Sequence, residues 1–196
     1  MDSKEKYFVN GYILAGGKSS RMGMDKGLML LNGKAVVQYV IDALKPVMNR
    51  IVIVSNNHEY QKFGLEVIED LIKDIGPAGG IYTALNHSDS QRNFIVSCDM
   101  PFVSSEAIKF LIEGSTPSEI TLPIHNQILE PLFGVYSKTC LFKWNELIER
   151  RIIKLQDLAE QFIMLKLNVD GNENFNELLF TNINTKKDFE NAIQQI

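Results

Sequence analysis

The stretch Ala15-Gly16-Gly17-Lys18-Ser19-Ser20-Arg21-Met22-Gly23-Met24-Asp25-Lys26-Gly27 packs four glycines, two serines and three cations into thirteen residues. It follows directly on an apolar run, Phe8 to Leu14. Glycine lets backbone amides approach an anion with no Cβ in the way and adopts the positive φ such a loop needs. Lys18, Arg21 and Lys26 can neutralise what those amides hold, so the composition suits a polyphosphate. Two common phosphate loops do not fit. The glycines at 16, 17, 23 and 27 miss the G-x-G-x-x-G of dinucleotide folds. Gly17-Lys18-Ser19 could end a Walker loop, but the glycine required five residues earlier falls on Tyr12.

Four more polar clusters each follow an apolar run: Ser55-Asn56-Asn57, Glu69-Asp70, Cys98-Asp99-Met100-Pro101 and Asn182-Ile183-Asn184-Thr185. Asp99, with Pro101 two residues on, suits a hard, oxygen-seeking cation such as Mg²⁺, which needs few protein ligands when phosphates and water complete its octahedron. The competing role for Asp99 is a helix cap, and Asn184 or Thr185 could equally cap a final helix. Read without any relative, Asp70 is a solvated loop charge and Gly76-Pro77 a turn. His58, His87 and His125 follow no metal spacing and read as surface or loop residues. Cys98 has no histidine near it in sequence and reads as a small core-facing side chain.

These residues need a scaffold. Strands are predicted at Phe8–Leu14, Arg50–Ser55, Leu65–Ile68, Asn93–Ser97, Glu119–Pro123, Pro131–Tyr136, Ile163–Asn168 and Leu179–Asn182. Helices are predicted at Val36–Leu44, Glu59–Phe63, Gly80–Asn86, Ser105–Glu113, Ser137–Glu149, Lys154–Glu160 and Lys186–Gln195. Val36, Val37, Val40, Ile41 and Leu44 form the stripe of a core-facing helix. Pro46 disfavours helical geometry at Lys45 and predicts a stop at Leu44. Ser104 or Ser105 would cap the helix after Pro101. Strand–helix alternation with strands as apolar as Ile51-Val52-Ile53-Val54 implies a three-layer α/β/α domain on a mostly parallel, Rossmann-like sheet, with ligands beyond the carboxyl ends of the strands.

The bulk numbers agree with one domain spanning 1–196. An apolar fraction of 45% with 22% charged residues is that of a soluble globular chain. A net charge of −4 argues against a nucleic-acid or anionic-membrane partner, and no apolar run approaches the length of a membrane span. The opening Met1–Lys6 is mixed-charge and lacks the hydrophobic region of a signal peptide. Cys98 and Cys140 have no paired spacing, so a reduced, cytoplasmic protein without structural zinc is expected.

The order L-A-G-G-x-S-x-R-M-G-x-D-K resembles the signature of nucleotidyltransferases that activate sugars and cofactors with an NTP, and most of all the molybdenum cofactor guanylyltransferase family. The resemblance runs from Ile13 to Asp188 and includes C-D-M-P, E-P-L-F (Glu130–Phe133) and N-I-N-T. It implies a nucleotidyltransferase fold of glycosyltransferase-A-like type, with an NTP-binding half roughly over 7–103 and an acceptor-binding half roughly over 104–196. It implies transfer of GMP from GTP to molybdopterin with release of pyrophosphate, Mg²⁺ as cofactor, and contacts with other cofactor-biosynthesis proteins. Residue by residue, it implies nucleotide binding by Leu14, Ala15, Gly16, Gly17, Lys26, Asn56, Asp70, Gly79 and Asp99, catalysis by Arg21, Lys26 and Asp99, and metal ligation by Asp99 and Asn184. Glu130-Pro131-Leu132-Phe133-Gly134-Val135-Tyr136 resembles the family's E-P-L-F-A-L-Y strand facing the second substrate. The family's glycine turn before it is replaced here by Asn126-Gln127-Ile128-Leu129. Arg150, Arg151 and Lys154 could meet a pterin phosphate or form a solvated helix end.

An acceptor phosphate is already ionised at neutral pH, so such a transfer needs positioning and charge neutralisation and no general base. The alternatives are a CTP-dependent or sugar-phosphate nucleotidyltransferase of the same fold, a P-loop kinase, and a non-catalytic GTP-binding partner of cofactor-insertion machinery.

Overall fold

The computed structural model describes residues 8–16, 25–115, 118–183 and 186–195. Among these described residues ten strands form in chain order: β1 Val9–Leu14, β2 Leu30–Leu31, β3 Lys34–Ala35, β4 Arg50–Val54, β5 Glu66–Ile68, β6 Arg92–Ser97, β7 Ile120–His125, β8 Ile128–Leu129, β9 Phe133–Ser137 and β10 Met164–Asn168. Six helices accompany them: α1 Val36–Leu44, α2 Pro77–His87, α3 Ser105–Gly114, α4 Leu141–Glu149, α5 Leu155–Ala159 and α6 Lys186–Ile193.

Seven strands lie side by side in the order β10-β7-β9-β6-β1-β4-β5, with β8 added to β7. All neighbours along that order are parallel except β9, which runs antiparallel to both β6 and β7. The result is one mixed, mostly parallel sheet, as the alternation of apolar strands and helices predicts. The carboxyl ends of β1, β4, β5 and β6 therefore open on the same edge.

Alternation along each strand divides the core in two. Val9, Ile13, Ile53, Phe94 and Val96 pack with Val37, Val40, Ile41 and Leu44 of α1 and with Ala107, Ile108 and Leu111 of α3. Tyr12, Leu14, Val52, Val54 and Ile95 pack on the opposite face with Ile81 and Leu85 of α2, Trp144 and Leu147 of α4, and Leu158 of α5. A strand buried on both faces has no polar side to show, which is why these runs are continuously apolar. Leu31, Val36, Ile183 and Ala192 form a smaller cluster that joins the β2–β3 hairpin to α1 and α6.

Several boundaries differ from prediction. α1 stops at Leu44 as expected, yet Lys45 stays in the right-handed helical region (φ −49°, ψ −40°), so the restriction before Pro46 is not what ends it. β7 continues past Pro123 to His125. Its partner changes there from β9, at Ile120 and Thr121, to β8, at Ile124 and His125, so a residue without an N–H is tolerated inside the strand. Leu179–Asn182 is not a strand: turn bonds from Leu179 N–H to Asn176 O and from Thr181 N–H to Leu178 O occupy that backbone, while Leu179 itself is buried. The β2–β3 hairpin is unpredicted, although its Asn32-Gly33 turn, with both φ positive, is a strong hairpin signal. Ser104 Oγ accepts from Ala107 N–H and caps α3, whereas Ser105 Oγ donates to Ala43 O.

Two of the histidines are also more deeply placed than predicted. His87 Nδ1 lies 3.0 Å from Tyr12 Oη and its Nε2 3.2 Å from Glu66 Oε1, with the ring edge-on to Tyr12. His125 is half-buried beside Phe180 and Asp170. His58 is exposed, as its polar surroundings imply.

Candidate active site

A cleft of about 590 Å³ opens at the carboxyl ends of the strands. Leu14, Ala15 and Gly16 form its floor where β1 ends. Ser55, Asn56 and Asn57 leave β4, Asp70 leaves β5, and Ser97 closes β6. The Ala15 amide donates to Val54 O at 2.9 Å and the Cys98 amide to Leu14 O at 3.1 Å, so the sheet continues right to the rim. Ala15 thus spends its N–H on the sheet, and Gly16 is the first exposed residue at the mouth. The cations and hydroxyls of 17–24, including the predicted Gly17 and Arg21, lie outside the described residues, as does Asn184.

At one end of the cleft Asn56 and Asp70 bond reciprocally. Asn56 Nδ2 donates to Asp70 Oδ2 at 3.0 Å, and the Asp70 amide donates back to Asn56 Oδ1 at 3.2 Å. Burial pushes the Asp70 carboxyl above its usual range, against the opposing pull of the Asn56 bond and the Lys73 charge. The predicted Gly76-Pro77 turn and the start of α2, which begins three residues before the predicted Gly80, supply another part of the wall. Gly76, at φ 64° and ψ −150°, takes a conformation that a side chain would make strained, and Pro77 starts α2 directly after it. Gly80 faces the cleft. The predicted Gly79 is instead turned toward Ile72 O, which a Cβ there would approach to 2.5 Å.

Following Asp25 and Ser97 of the cleft lining in the chain, Lys26 and Asp99 face each other, with Lys26 Nζ 3.6 Å from Asp99 Oδ2. Asp99 is 9% exposed, and its Oδ1 accepts the Ser97 hydroxyl at 2.5 Å. A carboxylate at a strand end, oriented by one hydroxyl and facing a cation, can hold a hard divalent ion through one oxygen. The Ile183 amide donates to Asp99 O at 3.0 Å, which brings the segment leading to Asn184 against the same strand end. Among the described residues there is no group of three His, Cys, Asp or Glu side chains able to hold a metal. Cys98, beside Asp99, is buried, and burial together with the Asp99 and Asp25 charges drives its thiol pKa far up, so it stays protonated.

Sequence reasoning missed Asp25, Tyr60, Ser97 and the role of Asn57. Asn57 caps the 3₁₀ turn His58–Phe63 through Glu59 N–H and also donates to Asp25 Oδ2 at 3.1 Å. Asp25 caps the next turn, Lys26–Leu28, and accepts from Tyr60 Oη at 2.5 Å. A cap preceding D-K-G was readable in the sequence. A tyrosine 35 residues away was not.

In the segment Glu130–Tyr136, Leu132 lines the cleft while Phe133 is buried in the core, and Tyr136 Oη donates to Pro131 O at 2.6 Å. Glu130 is half-buried, and burial raises its carboxyl pKa. Asn126 and Gln127 make a positive-φ two-residue turn from β7 into β8, in place of the four-residue turn expected. Arg150 and Arg151 are exposed where α4 ends, and Lys154 pairs with Asp157 at 3.4 Å.

Residues 11–162 match the model of the MobA-like NTP transferase domain. The chain is 40% identical over 175 residues to a probable molybdenum cofactor guanylyltransferase of Flavobacterium johnsoniae, covering 89% of this chain and 90% of that protein. A protein of the same description from Pelotomaculum thermopropionicum is 35% identical over 94% of this chain and 91% of its own length. The crystal structure of molybdopterin-guanine dinucleotide biosynthesis protein A from Archaeoglobus fulgidus superposes with a TM-score of 0.81 at 27% identity, covering 95% of this chain and 97% of that one.

Proposed function

The chain belongs to the MobA-like NTP transferase domain family, a family of nucleotidyltransferase enzymes, and on that premise we propose that it is a GTP-dependent molybdenum cofactor guanylyltransferase. It transfers GMP from GTP to molybdopterin and releases pyrophosphate. The observation that carries the reading is a cleft at the strand ends lined by Gly16, Gly76, Gly80 and the Asn56–Asp70 pair, with the Lys26–Asp99 pair next in chain to its lining residues Asp25 and Ser97. The names of the relatives supply the nucleotide and the acceptor.

In this reading Asp70 accepts the ring N–H and exocyclic amine of guanine. Each carboxylate oxygen has two lone pairs, so the Asn56 bond can persist. Leu14, Ala15, Gly16 and Gly17 shape the nucleotide pocket, Gly79 supports its wall from behind through its close approach to Ile72 O, and the amides at 16 and 17 meet phosphate. Arg21 and Lys26 neutralise the departing pyrophosphate. Asp99 and Asn184 hold Mg²⁺, which when bound polarises the phosphate under attack and offsets its charge. Lys26, 3.6 Å from Asp99, would share the Asp99 carboxylate with that ion and offer its charge to the phosphates. The half over 7–103 binds the NTP, and the half over 104–196, with Glu130–Phe133, meets the acceptor. A cytoplasmic location and contacts with other cofactor-biosynthesis proteins complete the proposal. No helix among the described residues is long and apolar enough to cross a membrane.

Melting curves with GTP, CTP and ATP, each with and without Mg²⁺, test it. Ligand at about a hundred times its Kd adds roughly 2.7 kcal/mol. A Mg²⁺-dependent shift with GTP alone, followed by pyrophosphate release on adding molybdopterin, is expected. A shift with CTP instead would keep the chemistry and change the product.

A further inference from the structure

We propose that Tyr60 is a positioning residue for nucleotidyl transfer: acting through Asp25, it sets the turn that carries Lys26 against Asp99. The inference rests on the nucleotidyl-transfer reading and extends it to a side chain buried behind the cleft wall.

Tyr60 is 0% exposed within the 3₁₀ turn His58–Phe63. Its hydroxyl donates to Asp25 Oδ1 at 2.5 Å, the Gly27 amide donates to the same oxygen at 3.2 Å, and Asn57 Nδ2 donates to Oδ2 at 3.1 Å. Three donors on one carboxylate make it an anchor for the turn Lys26–Leu28. The two carboxylates near Lys26 thus differ in kind. Asp25 is bonded back to the protein, while Asp99 holds the Ser97 hydroxyl and faces the lysine.

Steric contact ties the same groups together. A Cβ on Gly27 would lie 2.3 Å from Tyr60 Oη and 3.1 Å from Cys98 Sγ, so the Lys26 turn rests on the tyrosine hydroxyl and on the residue before Asp99. Tyr60 Oη lies 3.9 Å from that same sulfur. One hydroxyl therefore touches the turn bearing the lysine and the strand end bearing the aspartate. Burial, with the Asp25 charge, drives the tyrosine pKa far up, so the proton remains available for donation throughout the working pH range.

The test compares wild type, Tyr60→Phe, Lys26→Ala and the double variant. Pyrophosphate binding in Mg²⁺ is measured by calorimetry, kcat and KM for GTP by product release, and folding by melting temperature. Tyr60→Phe keeps the ring and removes one hydrogen bond to a charged group, so kcat and pyrophosphate affinity each fall about tenfold. In the Lys26→Ala background the same change has no further effect on either, because the tyrosine acts through that lysine. A side chain that only supports the fold would lower the melting temperature and leave binding and kcat untouched well below it. Wild-type values in Tyr60→Phe, or an equal loss in both backgrounds, overturn the proposal. Should Tyr60→Phe fail to fold, Asp25→Asn carries the same cycle with the same expected pattern. A wild-type protein that binds pyrophosphate through Lys26 and shows this coupling, yet transfers no GMP, would overturn the guanylyltransferase reading and leave the positioning role standing.

Discussion

The main-chain amide of Ile183 donates to the carbonyl of Asp99 at 3.0 Å. This bond joins two segments 84 positions apart, and Ile183 is held there by its own burial among Leu31, Val36 and Ala192. The late part of the chain thus reaches the Asp99 strand end through a hydrophobic anchor at Ile183.

Ile183→Ala should accordingly cost about 2–5 kcal/mol of stability by leaving a cavity. It should also raise the Mg²⁺ concentration needed for half-maximal turnover. A melting curve and a Mg²⁺ titration check the two effects. Lost stability with an unchanged Mg²⁺ requirement would separate the anchor from the metal site.

Asp99→Ala should fold, retain its circular dichroism spectrum, and lose turnover by on the order of a hundred- to a thousandfold, the usual cost of one preorganised charge contact. The Mg²⁺-dependent part of the GTP melting shift should vanish with it. Normal turnover in this variant would sink the assignment of the metal to Asp99.

Asp70 sets a pH dependence whose sign follows from its raised pKa. Between the ordinary carboxylate value and the raised folded one, the native state binds more protons than the unfolded state. Its stability contribution therefore declines as pH rises through that window. Guanine recognition needs the ionised form, so GTP affinity should rise over the same window. Asp70→Asn should flatten both profiles and weaken GTP relative to other nucleotides, which melting and binding measured across acidic pH would report.

Trp144→Phe isolates the wall behind the cleft. The indole N–H donates to Ala78 O at 3.1 Å in the first turn of α2, and the ring is fully buried and stacked on Phe162. Removing the donor loses one buried hydrogen bond to a carbonyl that the helix itself also engages, at about 0.5–1.5 kcal/mol. The expected result is a lower melting temperature with kcat unchanged well below it. A fall in kcat at full folding would mean that the α2 turn positions nucleotide.

Much of the fold was legible because its signals are local. The apolar run Ile51–Val54 can only be a strand buried on both faces, and the stripe from Val36 to Leu44 only a helix face turned to the core. The strand predicted to end at Pro123 runs on to His125 through a change of partner strand that no local window contains. Leu179–Asn182 misled because four apolar-leaning residues read alike as strand and as buried turn, and only the Phe175–Phe180 packing decides between them.

The same division runs through the site. Residue types and strand-end positions by themselves pointed to a mostly parallel sheet and to Lys26 and Asp99 at its carboxyl edge, because strand ends carry their geometry in the chain, while Asn56 and Asp70 became candidates only through the family resemblance. Which residues bond to which was decided by tertiary structure alone. Asn56 turns to Asp70 while its neighbour Asn57 turns to Asp25, and Tyr60 closes on Asp25 across 35 positions. Hydrogen bonds a few ångströms long depend on where separate strands end relative to one another, and that registry exists only once the sheet has formed.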